Sequence, residues 1–113
     1  MDSHYKILKK LEKNPQVNQR QLAGELGISL GKINYCLKAL ADKGWIRVQR
    51  FRQSRNKWSY IYHLTPEGIA AKARLTRSFL HQKIAEYDLL RQEIEALQKE
   101  LAREDTQETG QGG

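Results

Sequence analysis

The stretch Gln16–Lys57, QVNQRQLAGELGISLGKINYCLKALADKGWIRVQRFRQSRNK, decides the fold. Asn18 can cap a helix while Gln21, three residues on, completes a capping box. Leu22, Ala23 and Leu26 form that helix's apolar face, Gly27 supplies a left-handed residue to close it, and Ile28 seals the turn. Ser29 caps the next helix, whose stripe Ile33, Leu37 and Leu40, with Ala41 beside it, runs to about Lys43. Gly44 stops it. Trp45–Arg52 then alternates as a strand, Gln53–Lys57 is polar turn chemistry, and Trp58–Leu64 is a second β-rich run. A hairpin with a connection of about five residues is expected. Two helices about a tight Gly-Ile-Ser turn, then a hairpin, is the layout of a winged helix–turn–helix. The fold class is therefore mainly α with a small β-hairpin (α+β).

On the N-terminal side, Ser3 can cap a helix that turns Ile7, Leu8 and Leu11 inward and Lys6, Lys9, Lys10 and Lys13 outward. Asn14-Pro15 ends it, because the residue before a proline is driven out of the helical region. On the other side, Thr65-Pro66-Glu67 starts a helix: a cap, a proline at the first position and an acid near the positive dipole end. From Pro66 to about Arg103 there is no proline, and the only glycine is Gly68. Such a helix would be ~55 Å long, more than a small domain can cover. The expected organisation is a winged helix–turn–helix domain over 1–65, a long C-terminal helix for coiled-coil dimerisation over 66–104, and a disordered tail over 105–113.

The long helix carries its own pattern. With Tyr87 at heptad position a, the a and d positions give a continuous seam of Tyr87, Leu90, Ile94, Leu97 and Leu101. Leu80 lies at the preceding a position. Upstream the d positions turn polar at Thr76 and Lys83, and Ile69, Phe79 and Ile84 widen the apolar face, as expected where the helix also packs on its own domain. A lone helix folded back on the domain would leave this seam in water, so a homodimer is the better reading.

The chain has 113 residues and a net charge of +7. Residues 1–65 hold 13 Lys and Arg against four Asp and Glu, whereas residues 66–113 hold seven against nine. The basic half therefore suits a polyanion, although charge alone does not separate DNA from RNA or anionic lipid. Arg47, Arg50, Arg52, Arg55 and Lys57 fall in eleven residues with no acid among them. No run has the length and apolarity of a membrane span or signal sequence, and a single cysteine makes no internal disulfide, so a cytoplasmic setting is expected.

In a DNA-binding reading the helix after the turn enters the major groove by its N-terminal half. Its outer face carries Leu30, Gly31, Lys32, Asn34, Tyr35 and Lys38. Asn34 can pair with adenine N6 and N7, Lys32 or Lys38 can reach guanine or phosphate, and Leu30 and Tyr35 suit a thymine methyl or the backbone. Asn34 and Lys38 are the leading base readers. Arg20 and Ser29 are candidate contacts from the preceding helix and the turn. In the wing, Arg55 at the tip suits a narrow minor groove, and Arg50, Arg52 and Lys57 suit phosphates. The bland alternatives are a plain αα-corner and an edge hairpin that uses cations against aggregation. Five cations without an acid favour the nucleic acid.

Catalysis has little support. His4, His63 and His81 share no metal spacing with one another or with Cys36, and neither a phosphate-binding glycine loop nor a nucleophile motif occurs. No cofactor is expected. Cys36 borders the buried face of its helix and reads as a packed thiol rather than a redox switch. Core packing accounts for most of Trp45, Trp58, Tyr60 and Tyr62, and His63 belongs on the outer face of its strand.

The runs LAGELGIS, GKINYCLKALADKGWIRVQRF and HLTPEG at the head of a long helix resemble the MarR family of bacterial winged-helix regulators, in particular the short subgroup associated with exopolysaccharide (EPS) gene clusters. The resemblance covers roughly residues 3–101. It implies a dimer on a pseudo-palindromic operator, usually repressing transcription, with the recognition helix in the major groove and a wing arginine in the minor groove. Those roles fall on Leu30–Lys38 and Arg55. Longer members have an extra N-terminal helix that helps to build the dimer and a crevice for phenolic ligands. Here the first helix begins almost at Met1, so dimerisation is expected to rest on the C-terminal helix, with contacts at Leu80, Ile84, Tyr87, Leu90, Ile94, Leu97 and Leu101, and the effector is left unassigned. The competing class is a winged helix used as a protein-interaction or RNA-binding module with a basic docking face.

Overall fold

A computed structural model of the chain describes residues 2–111, with side chains through Gln107. The elements are α1 (Ser3–Lys13), α2 (Gln19–Leu26), α3 (Leu30–Asp42), β1 (Ile46–Ser54), β2 (Lys57–Leu64) and α4 (Pro66–Gln111), and the two strands pair antiparallel. This is the winged helix–turn–helix, α+β, that the sequence predicts.

Local chemistry explains most of the boundaries. Asn18 Oδ1 accepts the Gln21 N–H at 2.7 Å, so the N-terminus of α2 is capped as expected. The other half of the capping box does not form, because the Gln21 amide donates to Glu25 Oε1 at 3.3 Å instead. Gly27 has φ of 64°, and the Ile28 N–H bonds back to the Ala23 carbonyl at 3.1 Å, a Schellman closure. At α1 the cap is Asp2, not Ser3: its carboxylate accepts the His4 N–H at 2.9 Å. Both residues suit the position, and the acid also complements the helix dipole.

Ile7, Leu8, Leu11, Leu22, Ile33 and Leu40 are the largest fully buried side chains, and they lock the three helices together. Each contributes about 1.5–3 kcal/mol of apolar transfer. Ile46 and Tyr62 extend this core to the base of the sheet. The hairpin is also tied down by its backbone, since the Tyr62 N–H donates to the Pro15 carbonyl at 2.9 Å.

The hairpin connection is tighter than the expected five residues. Only Arg55 and Asn56 lie between the strands. Neither has a positive φ, so the tip lacks the primed turn that a two-residue connection favours, and the register slips between Arg52 and Ser54. A local bulge takes up the strand twist that the turn does not supply.

Two compact units result, one ending at Arg77 and the other beginning at Ser78, rather than a break at residue 65. The start of α4 belongs to the first unit: Ala71 is buried, Leu75 packs against the core, and Lys72 Nζ meets Glu12 Oε1 on α1 at 3.1 Å. Ile69 and Ile84, expected to face the domain, are 55% and 49% exposed. Spacing explains this, because Gly68, Ala71 and Leu75 form one helical row, and Ile69 lies off it. The expected tail is also altered. The helix runs on to Gln111, with the Thr106 hydroxyl donating to the Ala102 carbonyl at 2.8 Å, and no proline stops it. Gly112 and Gly113 lie outside the described residues.

Candidate nucleic-acid interface

The α3 helix is two-sided. Ile33, Cys36, Leu37 and Leu40 are buried, while Leu30, Gly31, Lys32, Asn34, Tyr35 and Lys38 all stand on the exposed side. Tyr35 is 73% exposed. Every residue expected to read bases or touch phosphate from this helix is thus accessible on one face. Ser29 is committed to the fold as well, because its Oγ accepts the Lys32 N–H at 3.2 Å. Its own hydroxyl hydrogen is still able to donate to an anion. Arg20 is exposed at the second position of α2. Gly31 has open space where a Cβ would stand, so packing does not require a glycine there.

Asn34 is held in place. Its Nδ2 donates to Gln19 Oε1 at 3.3 Å, and Gln19 Nε2 donates to the Tyr62 hydroxyl at 3.2 Å. This relay ties α3 to α2 and to the wing. One amide hydrogen and Oδ1 of Asn34 remain for a base edge, which is the pair that adenine requires. Gln19 escaped the sequence reading. Its only signal was a polar residue next to the Asn18 cap, and many surface residues share that description.

The wing is more internally organised than a row of loose cations. Arg50 stacks on the Trp58 ring at 4.0 Å from guanidinium carbon to ring centroid, and Arg52 lies over the same ring at 5.8 Å. Arg52 Nη2 also donates to the Arg55 carbonyl at 2.9 Å, which braces the tip. Of the four wing residues, then, Arg50 and Arg52 support the hairpin as well as carry charge, while Arg55 sits in its turn and Lys57 opens β2. Trp58 and Tyr60 are 46% and 44% exposed, so core packing accounts for Tyr62 and much of Trp45 but not for these two. They fall on the sheet face that carries Arg50 and Arg52, because Arg50 pairs with Tyr60 and Arg52 with Trp58 across the strands. A cleft of about 330 Å³ lies between this face and the start of α2, lined by Asn18, Gln19, Lys57, Trp58 and Tyr60 among others. A shallower one of about 240 Å³, bordered by Asn34, Lys38, Val48 and Tyr60, runs between α3 and the wing.

His63 pairs with Arg47 on the opposite sheet face and is exposed, and Cys36 is buried. Among the described residues no group of three or more His, Cys, Asp or Glu could hold a metal ion, and no helix is long and apolar enough to cross a membrane. On α4, Leu80, Ile84, Tyr87, Leu90, Ile94, Leu97 and Leu101 are each between 47% and 64% exposed in the single chain. Together they form a long, exposed apolar row.

Residues 2–47 match the family model described as winged helix-turn-helix DNA-binding. No curated protein matches the chain. Solved structures similar to it include FabT of Streptococcus pneumoniae, determined in complex with DNA: 28% identity, TM-score 0.55, covering 88% of this chain and 69% of that one. PcaV of Streptomyces coelicolor, a transcriptional regulator determined with its natural ligand, is 22% identical with a TM-score of 0.55, over 81% of this chain and 72% of that one. A MarR protein of Peptoclostridium difficile is 12% identical with a TM-score of 0.64, over 78% of this chain but 56% of its own. The fold is that of MarR-type regulators, and the chain spans between about half and three-quarters of the structures it resembles.

Proposed function

We propose that this chain is a cytoplasmic, sequence-specific regulator of transcription that binds double-stranded DNA as a homodimer. It acts without catalysis and without a cofactor. The observation that carries this reading is the single exposed face of α3, with Lys32, Asn34 and Lys38, beside a wing whose residues 47–57 hold five cations and no acid. The match to a winged helix-turn-helix DNA-binding model and the likeness to FabT, solved on DNA, support it. In this reading α3 enters the major groove, Asn34 and Lys38 read bases, Arg55 probes the minor groove, and Arg20, Ser29, Arg50, Arg52 and Lys57 anchor phosphates. The exposed row Leu80–Leu101 pairs two copies, so that two recognition helices ~34–36 Å apart read a pseudo-palindrome. The finer reading is a repressor of the short MarR subgroup associated with exopolysaccharide genes.

The test is selection of bound fragments from random duplexes, followed by fluorescence-anisotropy titration across a range of salt. An enriched, symmetric site and affinity that falls steeply with salt are expected. Absence of salt-sensitive duplex binding at low ionic strength would overturn the proposal and favour a protein-interaction module.

A further inference from the structure

We infer that α4 pairs with a second copy in parallel and in register across Tyr87–Leu101. This rests on the homodimer proposed above and assigns its geometry. In a parallel, in-register pair each a or d residue meets its own counterpart, which gives five consecutive apolar layers: Tyr87, Leu90, Ile94, Leu97 and Leu101. Antiparallel pairing sets a against d. The best such registers give four apolar layers, and the next layer then places Tyr87 against Glu104 or Leu101 against Lys83.

The flanking positions discriminate further. Glu86, Glu93 and Glu100 occupy successive g positions, and Ile84 and Arg91 occupy e positions. An antiparallel pair brings g against g, so every register centred on the seam opposes glutamate to glutamate. A parallel pair brings g against e of the second copy. Glu86 then meets Arg91 and Phe79 meets Ile84, one attractive ionic contact and one apolar contact, each made twice by symmetry. The repulsive pair, Glu100 with Asp105, falls beyond the last apolar layer. Lys83, the polar d residue above the seam, is already met within its own helix by Glu86 at 3.1 Å, which offsets the charge that a parallel pair brings face to face.

Cysteine cross-linking and a charge-swap cycle test this in the full-length chain, with the buried Cys36 replaced by alanine. Leu101→Cys is expected to form a disulfide-linked dimer on mild oxidation, because only parallel pairing brings that position within disulfide reach of itself. A mixture of Leu90→Cys and Leu101→Cys chains is expected to give no mixed disulfide. Arg91→Glu alone and Glu86→Arg alone should each weaken the dimer about tenfold, and the double substitution should recover most of that loss. Recovery of this kind requires the two residues to meet across the pair, since they do not face each other along one helix. A mixed Leu90–Leu101 disulfide, or no recovery in the double variant, would overturn the parallel register. Sedimentation of the unaltered chain as a monomer at micromolar concentration would instead overturn the homodimer itself.

Discussion

Asn34 and Gln19 share a hydrogen bond of 3.3 Å that links the N-terminal half of α3 to the start of the helix before it. Because Gln19 is bonded in turn to Tyr62, the foremost candidate base reader is linked to two other elements, α2 and β2. Gln19→Ala should therefore reduce discrimination between operator and random duplex by roughly three- to tenfold. Stability should fall by about 1–3 kcal/mol, since the Tyr62 hydroxyl it leaves belongs to a buried side chain. Competition titration and urea melts on the same samples check both halves.

Asn34 and Arg55 should fail in different ways. Asn34→Ala is expected to erase about 1–3 kcal/mol of preference at one base pair while non-specific affinity stays near its original level. Arg55→Ala should weaken all sequences alike and lower the salt slope by about one. Unchanged preference among single-base operator variants after Asn34→Ala would show that the base is read elsewhere.

Gly31 offers a trade between stability and binding. A Cβ there meets nothing within 4 Å, and alanine is favoured over glycine inside a helix by about 1 kcal/mol. Gly31→Ala is thus expected to raise the melting temperature by several degrees. If the bare backbone at this point lets the helix approach the groove, the same change should cost several-fold in duplex affinity. A more stable protein with full affinity would remove Gly31 from the interface.

Gly68 should be intolerant for a steric reason. An added Cβ would overlap the backbone carbonyl of Trp45, and backbone at that junction cannot give way cheaply. That carbonyl also accepts the Thr65 N–H at 3.0 Å, while the Thr65 hydroxyl donates to the Gly44 carbonyl and accepts the Gly68 N–H. Gly68→Ala is expected to cost about 3 kcal/mol or more, read by chemical denaturation. Gly24→Ala, where nothing is within 4 Å, serves as the tolerated control.

The parts of this fold that sequence made legible are those with local causes. Asn18, Gly27 and Ser29 act through residues three or four positions away, and the rows Ile7–Leu11 and Ile33–Leu40 express a period the chain itself carries. What escaped depends on partners distant in sequence. Nothing near Gly68 announces the Trp45 carbonyl, and nothing near Gln19 announces Tyr62. The tip at Arg55-Asn56 read as longer than it is because five polar residues in a row do not mark where pairing stops. The end of α4 read as a tail because glycine and polar content signalled disorder, whereas the absence of proline left the helix free to continue.

The relay through Gln19 has a consequence for how a newly made chain acquires its reading surface. Tyr62 comes 43 residues after Gln19, so the relay closes only once the hairpin has docked on the helices. Helix α3 can thus form from local causes while the far end of the Asn34 relay waits on the hairpin. A fragment ending before β2 would keep its helices' local stabilisation, and the bond from Asn34 to Gln19, yet lack the Tyr62 hydroxyl that fixes the far end of the relay.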